Sequence, residues 1–520
     1  MSSISICILI TIICYLLMMI VVGAIFSKKN KNSDDFYLGG RHLGPLVTAM
    51  SAEASDMSSW LLMGLPGLAL ITGRAEASWT AIGLAIGTYL NWLFVAKRLR
   101  IYTKQLNAVT IPDFFAKRFG DKANIITLIS AVFIVVFFVP YTASGFVGCG
   151  KLFSSIFGID YMTAMIICAA VIILYCTLGG FLAASTTDFI QSIIMSVALV
   201  VVLGFSIKVA GFNNIIDNVK NIDGYLNIFQ GCDVNSGTVG SYGALPIAST
   251  LAWGLGYFGM PHIILRFMAI EDEKKLHISR RVGSIWVVIS MGVAIFIGVC
   301  GYTLMKNGIV PFYATNADAE RLIVDIAKKI SSYGILPAIV GGVILAGILA
   351  SAMSTADSQL LAASSSVTQN IIQDFFHIKL SEKASIMLAR IMVIIISVVA
   401  IFLATNPDSS VFRIVSFAWA GFGATFGPAV LFALFWKRAN KWGILTGMLG
   451  GGILIFIWKF VIRVQFADTW LNIYELLPAF IFNVILVVVV SLITSEPDKE
   501  ITDEFDRVKA QCKKSVTLKI

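Results

Sequence analysis

The stretch SAEASDMSSWLLMGLPG, residues 51–67, decides the fold of this chain. It begins with acidic and hydroxyl side chains and ends with Gly64, Pro66 and Gly67, yet it lies inside a long apolar run. Ionisable residues at membrane depth are costly and usually face a cavity or a partner. Proline removes a helical hydrogen bond that must be replaced. The stretch therefore predicts a membrane helix that is interrupted for a functional reason.

The composition extends this prediction to the whole chain. The 520 residues are 58% hydrophobic and 13% charged, whereas soluble proteins carry about 25% charged residues. Apolar runs of membrane-spanning length recur from end to end, which predicts an all-α integral membrane protein. This excludes a soluble enzyme, a secreted disulfide scaffold and an outer-membrane barrel with alternating strands. The net charge of +9 follows the membrane loops, so no nucleic-acid partner is expected.

The apolar runs divide into thirteen predicted spans. At roughly 20 residues each, they use about half of the chain. The spans are approximately 4–26, 45–72, 76–96, 124–152, 161–180, 188–208, 245–265, 282–305, 334–371, 385–404, 409–436, 442–462 and 472–494.

The basic residues predict the orientation of these spans. Lys28 and Lys29 follow the first apolar run and none precedes it, so the N-terminus is expected outside. The alternate segments then expected inside hold 28 of the 39 Lys and Arg residues, and the C-terminus is expected inside. The six inside segments are 27–44, 96–123, 266–281, 373–390, 436–441 and 495–520.

Two further stretches interrupt the smooth apolar pattern: WGLGYFGMPHIILR (253–266) and AGILASAMSTADSQ (346–359). The first of them shares a Gly-x-Pro tripeptide with the opening stretch. Five spans separate the two tripeptides, which predicts inverted five-helix repeats with a binding site where the breaks meet. The predicted organisation is a transporter domain over 1–494 and a cytoplasmic tail over 495–520. Within it lie a peripheral helix 1, a first repeat (about 45–208), a second repeat (about 245–436) and two peripheral helices (about 442–494).

Four acidic residues lie inside predicted spans: Glu53, Asp56, Asp188 and Asp357. No Lys or Arg lies deep enough in a span to be an obvious partner for them, so the acids suggest a cation pathway. The eight cysteines form no C-x-x-C pair, the four histidines are far apart, and no phosphate-binding loop occurs. The chain is therefore expected not to be an enzyme, and any transport is expected to use a gradient.

Several stretches together with residues 51–67 resemble the sodium:solute symporter family in order and spacing. They are FYLGGRHLGP (36–45), LNWLFVAKRLRIYT (90–103), GLGYFGMPHIILRFMA (254–269), ILASAMSTADSQLL (348–361) and SFAWAGFGATFGPAVLF (416–432). The resemblance covers about residues 4–494. It implies a LeuT-type inverted-repeat fold of thirteen transmembrane helices in the plasma membrane. It also implies Na⁺-coupled uptake of a small solute, L-proline, by alternating access.

The resemblance also implies the site residues. Na⁺ would be bound by carbonyl oxygens of Ala54, Met57 and Ser351 and by the hydroxyls of Ser354 and Thr355. The substrate would contact Trp60, Gly64, Tyr141, Trp253, Tyr257 and Pro261. The coupling and ion-pathway set consists of Arg41, Asp56, Ser58 and Asp188, together with the two extra acids Glu53 and Asp357. Some relatives carry a second Na⁺ site at positions that match Asp188 and 354–358.

The sequence departs from the pattern of the proline-transporting members at four positions. Glu53 and Ser59 replace glycine, Asp357 replaces serine and Met260 replaces glutamine. The extra acids could change cation coupling, carry a proton, or form a structural carboxyl pair. The departures also leave open another small amino acid or organic solute as the substrate. A channel would need a repeated pore loop, and a sensor would need an added soluble domain; neither pattern is found.

Overall fold

The computed structural model describes residues 3–27 and 32–517, and these residues are almost entirely helical. Eleven helical segments of the described residues are long and apolar enough to cross a membrane, which confirms a mostly helical integral membrane protein. Lys28 and Lys29, on which the predicted orientation of the first span depends, lie outside the described residues.

In the described residues of the first half of the chain there are ten α-helices and a small hairpin. They are α1 (Ser3–Ser27), α2 (Ser33–Leu38), α3 (Pro45–Ser59), α4 (Leu65–Thr72), α5 (Arg74–Leu90), α6 (Lys97–Gln105), α7 (Ile111–Phe119), α8 (Ile125–Phe157), α9 (Tyr161–Ala210), α10 (Phe212–Lys220), β1 (Gln230–Asp233) and β2 (Thr238–Ser241).

Up to residue 517, where the description ends, the second half contains twelve further α-helices. They are α11 (Ala244–Leu251), α12 (Pro261–Ala269), α13 (Leu276–Lys306), α14 (Asn316–Ala319), α15 (Leu322–Ser331), α16 (Ile335–Ser365), α17 (Glu382–Leu403), α18 (Val411–Phe435), α19 (Lys441–Ile457), α20 (Arg463–Gln465), α21 (Leu476–Ile493) and α22 (Lys499–Thr517). Short 3-10 or π segments join some of them, at Gly39–Arg41, Trp60–Gly64, Asn91–Ala96, Ala252–Gly259, Glu273–Lys275, Ser366–Phe375 and Trp458–Ile462.

The first predicted break is present, but it lies earlier than the Gly-x-Pro tripeptide. Ser58 has φ 45° and ψ −169°, and a π turn over Trp60–Gly64 then leads into α4. Pro66 lies in the first turn of α4, where proline removes no intrahelical bond. The backbone is therefore opened by the serine-rich part of residues 51–67, and the proline begins the second half-helix.

The second predicted break coincides with its tripeptide. After α11 the chain continues as a 3-10 segment, Ala252–Gly259, and Met260 is extended at φ −80° and ψ 105°. Pro261 then begins α12. The third stretch, 346–359, is not interrupted, because α16 runs unbroken through it. Its small residues instead allow close packing between helices.

The break of α9 was not predicted as such. Spans 161–180 and 188–208 are joined in one helix that turns at Gly180, whose φ of 66° favours glycine. Close glycine contacts also bring α5 against the 3-10 segment: a Cβ on Gly87 would lie 2.2 Å from the carbonyl oxygen of Gly254. The second broken helix is thereby held directly against the helix that follows the first.

Two segments outside the spans are more ordered than the sequence indicated. The connector predicted over 209–244 contains α10 and the antiparallel β1–β2 hairpin, with Gln230 opposite Ser241 and Asp233 opposite Thr238. The tail contains α22, which buries Phe505 and Val508. The surface on which this helix docks depends on residues far away in the chain, such as Lys437, Arg98 and Arg118.

Candidate ion and substrate site

Oxygen atoms converge where the first broken helix meets α16. The hydroxyl of Ser354 donates a hydrogen bond to the carbonyl oxygen of Ala54 at 2.9 Å and lies 3.3 Å from that of Ser351. The Thr355 hydroxyl donates to the same Ser351 carbonyl at 3.2 Å. Ser354 and Ala54 are fully buried, and Thr355 is nearly so. Two hydroxyls and two carbonyls therefore form one cluster of neutral oxygens, the ligand type suited to a hard cation.

Met57 lies beside this cluster without joining it. Its carbonyl oxygen accepts a hydrogen bond from the backbone N–H of Trp60, across the break at Ser58. Four of the five predicted Na⁺ ligands are therefore connected by hydrogen bonds among the described residues, and the fifth is at the adjacent turn.

Asp56 links the two broken helices. The Tyr257 hydroxyl, on the 3-10 segment Ala252–Gly259, donates a hydrogen bond to Oδ2 of Asp56. The Tyr141 hydroxyl, on α8, donates to the backbone carbonyl of Asp56 at 3.2 Å. These residues are all buried. A side chain between the breaks thus contacts elements from both predicted repeats.

A small cavity adjoins Asp56 and is surrounded by aromatic rings. Its volume is about 10 Å³, which accommodates about one water molecule. Trp60 and Trp253 stack across it with ring centroids 6.0 Å apart. The cavity is too small to hold an amino acid in this conformation. The lining residues are Asp56, Met57, Trp60, Leu84, Tyr141, Trp253, Val415 and Trp419.

A much larger cavity of about 870 Å³ lies on the other side of Trp253. Gly64 lines this cavity rather than the small one, and the ring of Phe412 lies 5.5 Å from that of Trp253. Trp253 lines both cavities and separates them. Of the predicted substrate residues, Trp60, Tyr141 and Trp253 line the small cavity, Tyr257 contacts Asp56, and Pro261 starts α12 without lining either cavity.

Glu53 faces α5 and the π segment that follows it. Its Oε1 accepts hydrogen bonds from Trp92 Nε1 at 2.8 Å and Thr88 Oγ1 at 3.1 Å. Its Oε2 has no hydrogen-bond partner among the described residues. Asp357 has other partners: Tyr175 donates to Oδ2, and Ser358 donates to Oδ1 at 2.9 Å. The two extra carboxyl groups therefore share no hydrogen bond in the described part of the chain.

Asp188 has a basic partner, so the expectation that no Lys or Arg could pair with the acids is wrong at this position. Nη2 of Arg266 lies 3.1 Å from Asp188 Oδ2, and the side chains are 1% and 0% exposed. Arg266 was assigned to a loop because it closes an apolar run. The helix α12 in fact continues to Ala269 and places the guanidinium inside the protein.

Arg41 lies away from the oxygen cluster. Its guanidinium donates to the carbonyl oxygens of Met268 at 2.8 Å and Ala108 at 2.7 Å. Burial lowers the pKa of Arg41 to about 10, so it remains charged at neutral pH. The arginine thus joins the end of α12 to the loop before α7.

Three lining residues of the small cavity were missed by sequence reasoning: Leu84, Val415 and Trp419. Trp419 Nε1 donates to the carbonyl oxygen of Trp253 at 2.7 Å, and its ring meets Tyr257 edge-on at 5.1 Å. Trp419 lies within SFAWAGFGATFGPAVLF (416–432). The feature that could have indicated it is an aromatic residue with a hydrogen-bond donor in a glycine-rich span.

Two discontinuous helices around an oxygen cluster and an aromatic cavity define the class of gradient-driven secondary transporters. A sequence profile described as "Sodium:solute symporter family" matches residues 36–451. The chain belongs to the sodium:solute symporter family.

Named relatives match over nearly their whole length. The sodium/proline symporter of Escherichia coli (strain K12) is 41% identical over 505 residues, which cover 97% of this chain and 96% of the relative. The high-affinity proline transporter PutP of Bacillus subtilis (strain 168) is 41% identical over 494 residues, which cover 94% and 98%. The sodium/proline symporter of Staphylococcus aureus (strain USA300) is 40% identical over 502 residues, which cover 95% and 94%.

Solved structures confirm a LeuT-type fold. The substrate-bound, outward-open state of a Na⁺-coupled sialic acid symporter has a TM-score of 0.77 at 17% identity, covering 96% of this chain and 99% of that one. The complex of MhsT with L-phenylalanine has a TM-score of 0.54 at 13% identity, covering 87% and 98%.

Proposed function

We propose that this protein takes up L-proline together with Na⁺ by alternating access across the plasma membrane. The single observation that carries the proposal is the contact between Ser354 and the Ala54 carbonyl, which joins α16 to the first broken helix through oxygen atoms suited to Na⁺. The proline specificity is supported by relatives about 40% identical over nearly the full chain.

Na⁺ would replace hydrogen bonds that now link its ligands to one another. The hydroxyls of Ser354 and Thr355 would rotate to direct lone pairs at the ion, and the carbonyls of Ala54 and Ser351 would complete the set. Met57 would join after its carbonyl leaves the Trp60 N–H. Because the ligands belong to α3 and α16, Na⁺ binding favours the state in which these helices are close.

Proline would bind in the small cavity between Trp60, Tyr141 and Trp253. Aromatic faces suit the pyrrolidine ring and the partly cationic CH groups beside its nitrogen. Gly64, Tyr257 and Pro261 would act at the two breaks, where free backbone groups can bind the carboxylate. Asp56, in contact with Tyr257, would connect occupation of this cavity to the neighbouring oxygen cluster, which shares the Ser58 break.

The proposed topology has thirteen spans with the N-terminus outside and the C-terminus inside. Its support is the eleven long apolar helices, the shorter apolar helix Tyr161–Thr177 and the broken segment over 244–269. The proposed repeats, about 45–208 and 245–436, each contain one broken helix. On this orientation α3 and α12 lie on the cytoplasmic side, and the 870 Å³ cavity opens outside.

A second version of the proposal concerns Glu53 and Asp357. In it these two acids carry a proton or change the cation dependence of transport. The observation that favours it is the buried carboxyl of Glu53, whose Oε2 has no hydrogen-bond partner in the part of the chain that the structure describes. A structural carboxyl pair has less support, because the two groups have separate partners.

The substrate is tested by binding of radiolabelled L-proline to purified protein in NaCl and in KCl, with other small amino acids and organic acids as competitors. The proposal is supported if binding in NaCl is saturable and unlabelled proline displaces the label better than any other competitor. If another solute displaces the labelled proline better than proline does, that solute is the substrate instead. Equal binding of proline in NaCl and in KCl would contradict Na⁺ coupling.

A further inference from the structure

Arg266 is a buried arginine that contacts three helices besides its own. Its Nε donates to Ser51 Oγ on α3 at 3.0 Å, and its Nη2 donates to Asp188 Oδ2 on α9 at 3.1 Å. Nη2 also donates to Ser358 Oγ on α16, and Nη1 donates to the carbonyl of His262 at 2.6 Å. The guanidinium thus donates hydrogen bonds to one polar group on each of four helices.

The charge of Arg266 is balanced by a single carboxylate in an otherwise enclosed place. Asp188 Oδ2 also accepts from the Ser51 hydroxyl at 2.7 Å, while Oδ1 has no hydrogen-bond partner among the described residues. The face of the Phe181 ring lies 5.1 Å from the guanidinium carbon. Removing either charge alone would leave the other buried and unpaired, which is far costlier than removing both.

Two connections lead from Arg266 to the oxygen cluster, one through a hydrogen bond on α16 and one along a turn of α3. Ser358, which accepts from Arg266, lies 3.0 Å from the carbonyl of Ser354, one turn earlier on α16. Ser51, the other acceptor, precedes Ala54 by one turn of α3. Arg266 therefore holds the two helix turns that carry the Ser354 hydroxyl and the Ala54 carbonyl, although it touches neither oxygen.

We propose that Arg266 is a positioning residue for the Na⁺ site: a tethered cation that fixes α3 and α16 relative to α12. The guanidinium occupies the place between Asp188, Ser51 and Ser358 where anionic and hydroxyl oxygens would otherwise be free to bind a mobile cation. It also connects α3 and α12, which are one half of each broken helix, to α9. The inference rests on the proposed Na⁺-coupled function.

The test measures Na⁺ binding without the substrate, as the rise in unfolding temperature of purified protein with increasing NaCl at constant ionic strength. Arg266→Gln is expected to raise the half-saturating Na⁺ concentration at least about tenfold. Arg266→Lys keeps the charge but not the planar guanidinium, so its half-saturating Na⁺ concentration is expected to lie between those of Arg266→Gln and the wild type. In uptake assays at saturating Na⁺, the KM for proline is expected to change less than threefold.

The double variant Arg266→Gln/Asp188→Asn separates positioning from charge balance. Without Na⁺ it is expected to unfold near the wild-type temperature, because no charge is left unpaired. Its half-saturating Na⁺ concentration is expected to stay raised, because Ser51 and Ser358 have lost their shared donor. Restoration of both properties by the double variant would overturn the proposal and leave Arg266 a charge partner only.

A matched control is Arg118→Gln, since Arg118 is as buried as Arg266 and donates to the Ala433 carbonyl at 2.9 Å. It is expected to change thermal stability and leave Na⁺ half-saturation unchanged; an equal Na⁺ effect would contradict a specific role of Arg266. If Arg266→Gln does not fold, Ser358→Ala is measured instead. Its half-saturating Na⁺ concentration is expected to rise about threefold or more, and an unchanged value would contradict the proposal. A wild-type protein without any Na⁺-specific stabilisation would instead contradict the proposed function itself.

Discussion

The hydroxyl of Ser354 lies 2.9 Å from the carbonyl oxygen of Ala54, although 300 positions separate the two residues in the chain. Ser354 belongs to an unbroken helix, and Ala54 lies four residues before the strained Ser58. The contact joins the two predicted repeats at one point. An ion bound there would stabilise the approach of α3 and α16, which is the physical basis of coupling.

Ser354→Ala is expected to weaken Na⁺ binding much more than proline binding. Loss of one direct ligand costs about 1.4 kcal/mol or more, which raises the half-saturating Na⁺ concentration about tenfold. Uptake measured over a Na⁺ series at saturating proline checks this. Ser365→Ala is the control, because Ser365 is buried on the same helix and its hydroxyl donates to the local Ala362 carbonyl. Equal effects of the two variants would contradict the assignment.

Trp419→Phe is expected to raise the KM for proline about tenfold. The change removes the hydrogen bond to the Trp253 carbonyl and part of the edge-on contact with Tyr257, together worth about 1–2 kcal/mol. The measurement is proline uptake at saturating Na⁺. Trp442→Phe, at an exposed position beside Lys441, is expected to leave KM unchanged. A wild-type KM in Trp419→Phe would remove this residue from the substrate site.

The buried Lys151–Glu320 pair connects α8 to the start of α18. Lys151 Nζ lies 2.9 Å from Glu320 Oε2, with side chains 8% and 2% exposed, and Glu320 also accepts the N–H groups of Val411 and Phe412. Glu320→Ala is expected to destabilise the protein by about 3–5 kcal/mol, because it leaves a buried ammonium and free backbone donors. Lys151→Met is expected to cost less, since Glu320 keeps those donors.

Thermal unfolding in detergent tests this order. Lys275→Met is the matched control, because Lys275 lies 2.6 Å from Glu271 but both side chains are more than 40% exposed, and water screens such a pair so that it adds little stability. A Glu320→Ala variant no less stable than Lys275→Met would show that the pair does not hold these helices.

Docking of α22 is expected to weaken in acid. Lys437 Nζ lies 2.5 Å from Asp506, and this hydrogen bond lowers the pKa of Asp506 below its ordinary value. The docked tail therefore binds the proton more weakly than the free tail. The contribution is fully present above the ordinary carboxyl pKa of about 3.9 and is lost as the pH falls through the lowered value.

Hydrogen–deuterium exchange of residues 499–517 checks this prediction, with Asp506→Asn measured at the same pH. The wild type is expected to be better protected than the variant near pH 7, and this difference is expected to shrink as the pH falls below about 3.9. Equal protection of the two proteins near pH 7 would contradict the prediction and leave docking to the apolar anchor Phe505, which is flanked by the guanidinium groups of Arg98 and Arg118 at 4.9 and 5.0 Å.

Much of the fold could be predicted from local properties. Hydropathy predicts the spans, and Gly259 and Pro261 mark the second break, because these effects act within a few residues. Ser354 and Ala54 were assigned through resemblance, since nothing local relates them. The Arg266–Asp188 pair and Trp419 in the small cavity were missed, because both depend on which helices become neighbours. Residues at the end of an apolar run, such as Arg266, are especially ambiguous between loop and core.

The most direct test of the central claim is uptake of radiolabelled L-proline into liposomes that contain only this protein. An inward Na⁺ gradient is compared with an inward proton gradient and with no gradient. Concentrative uptake driven by Na⁺, and reduced by Ser354→Ala at low Na⁺, is the predicted result. Uptake driven equally well by protons without Na⁺, or no proline uptake under a Na⁺ gradient, would contradict Na⁺-coupled proline transport.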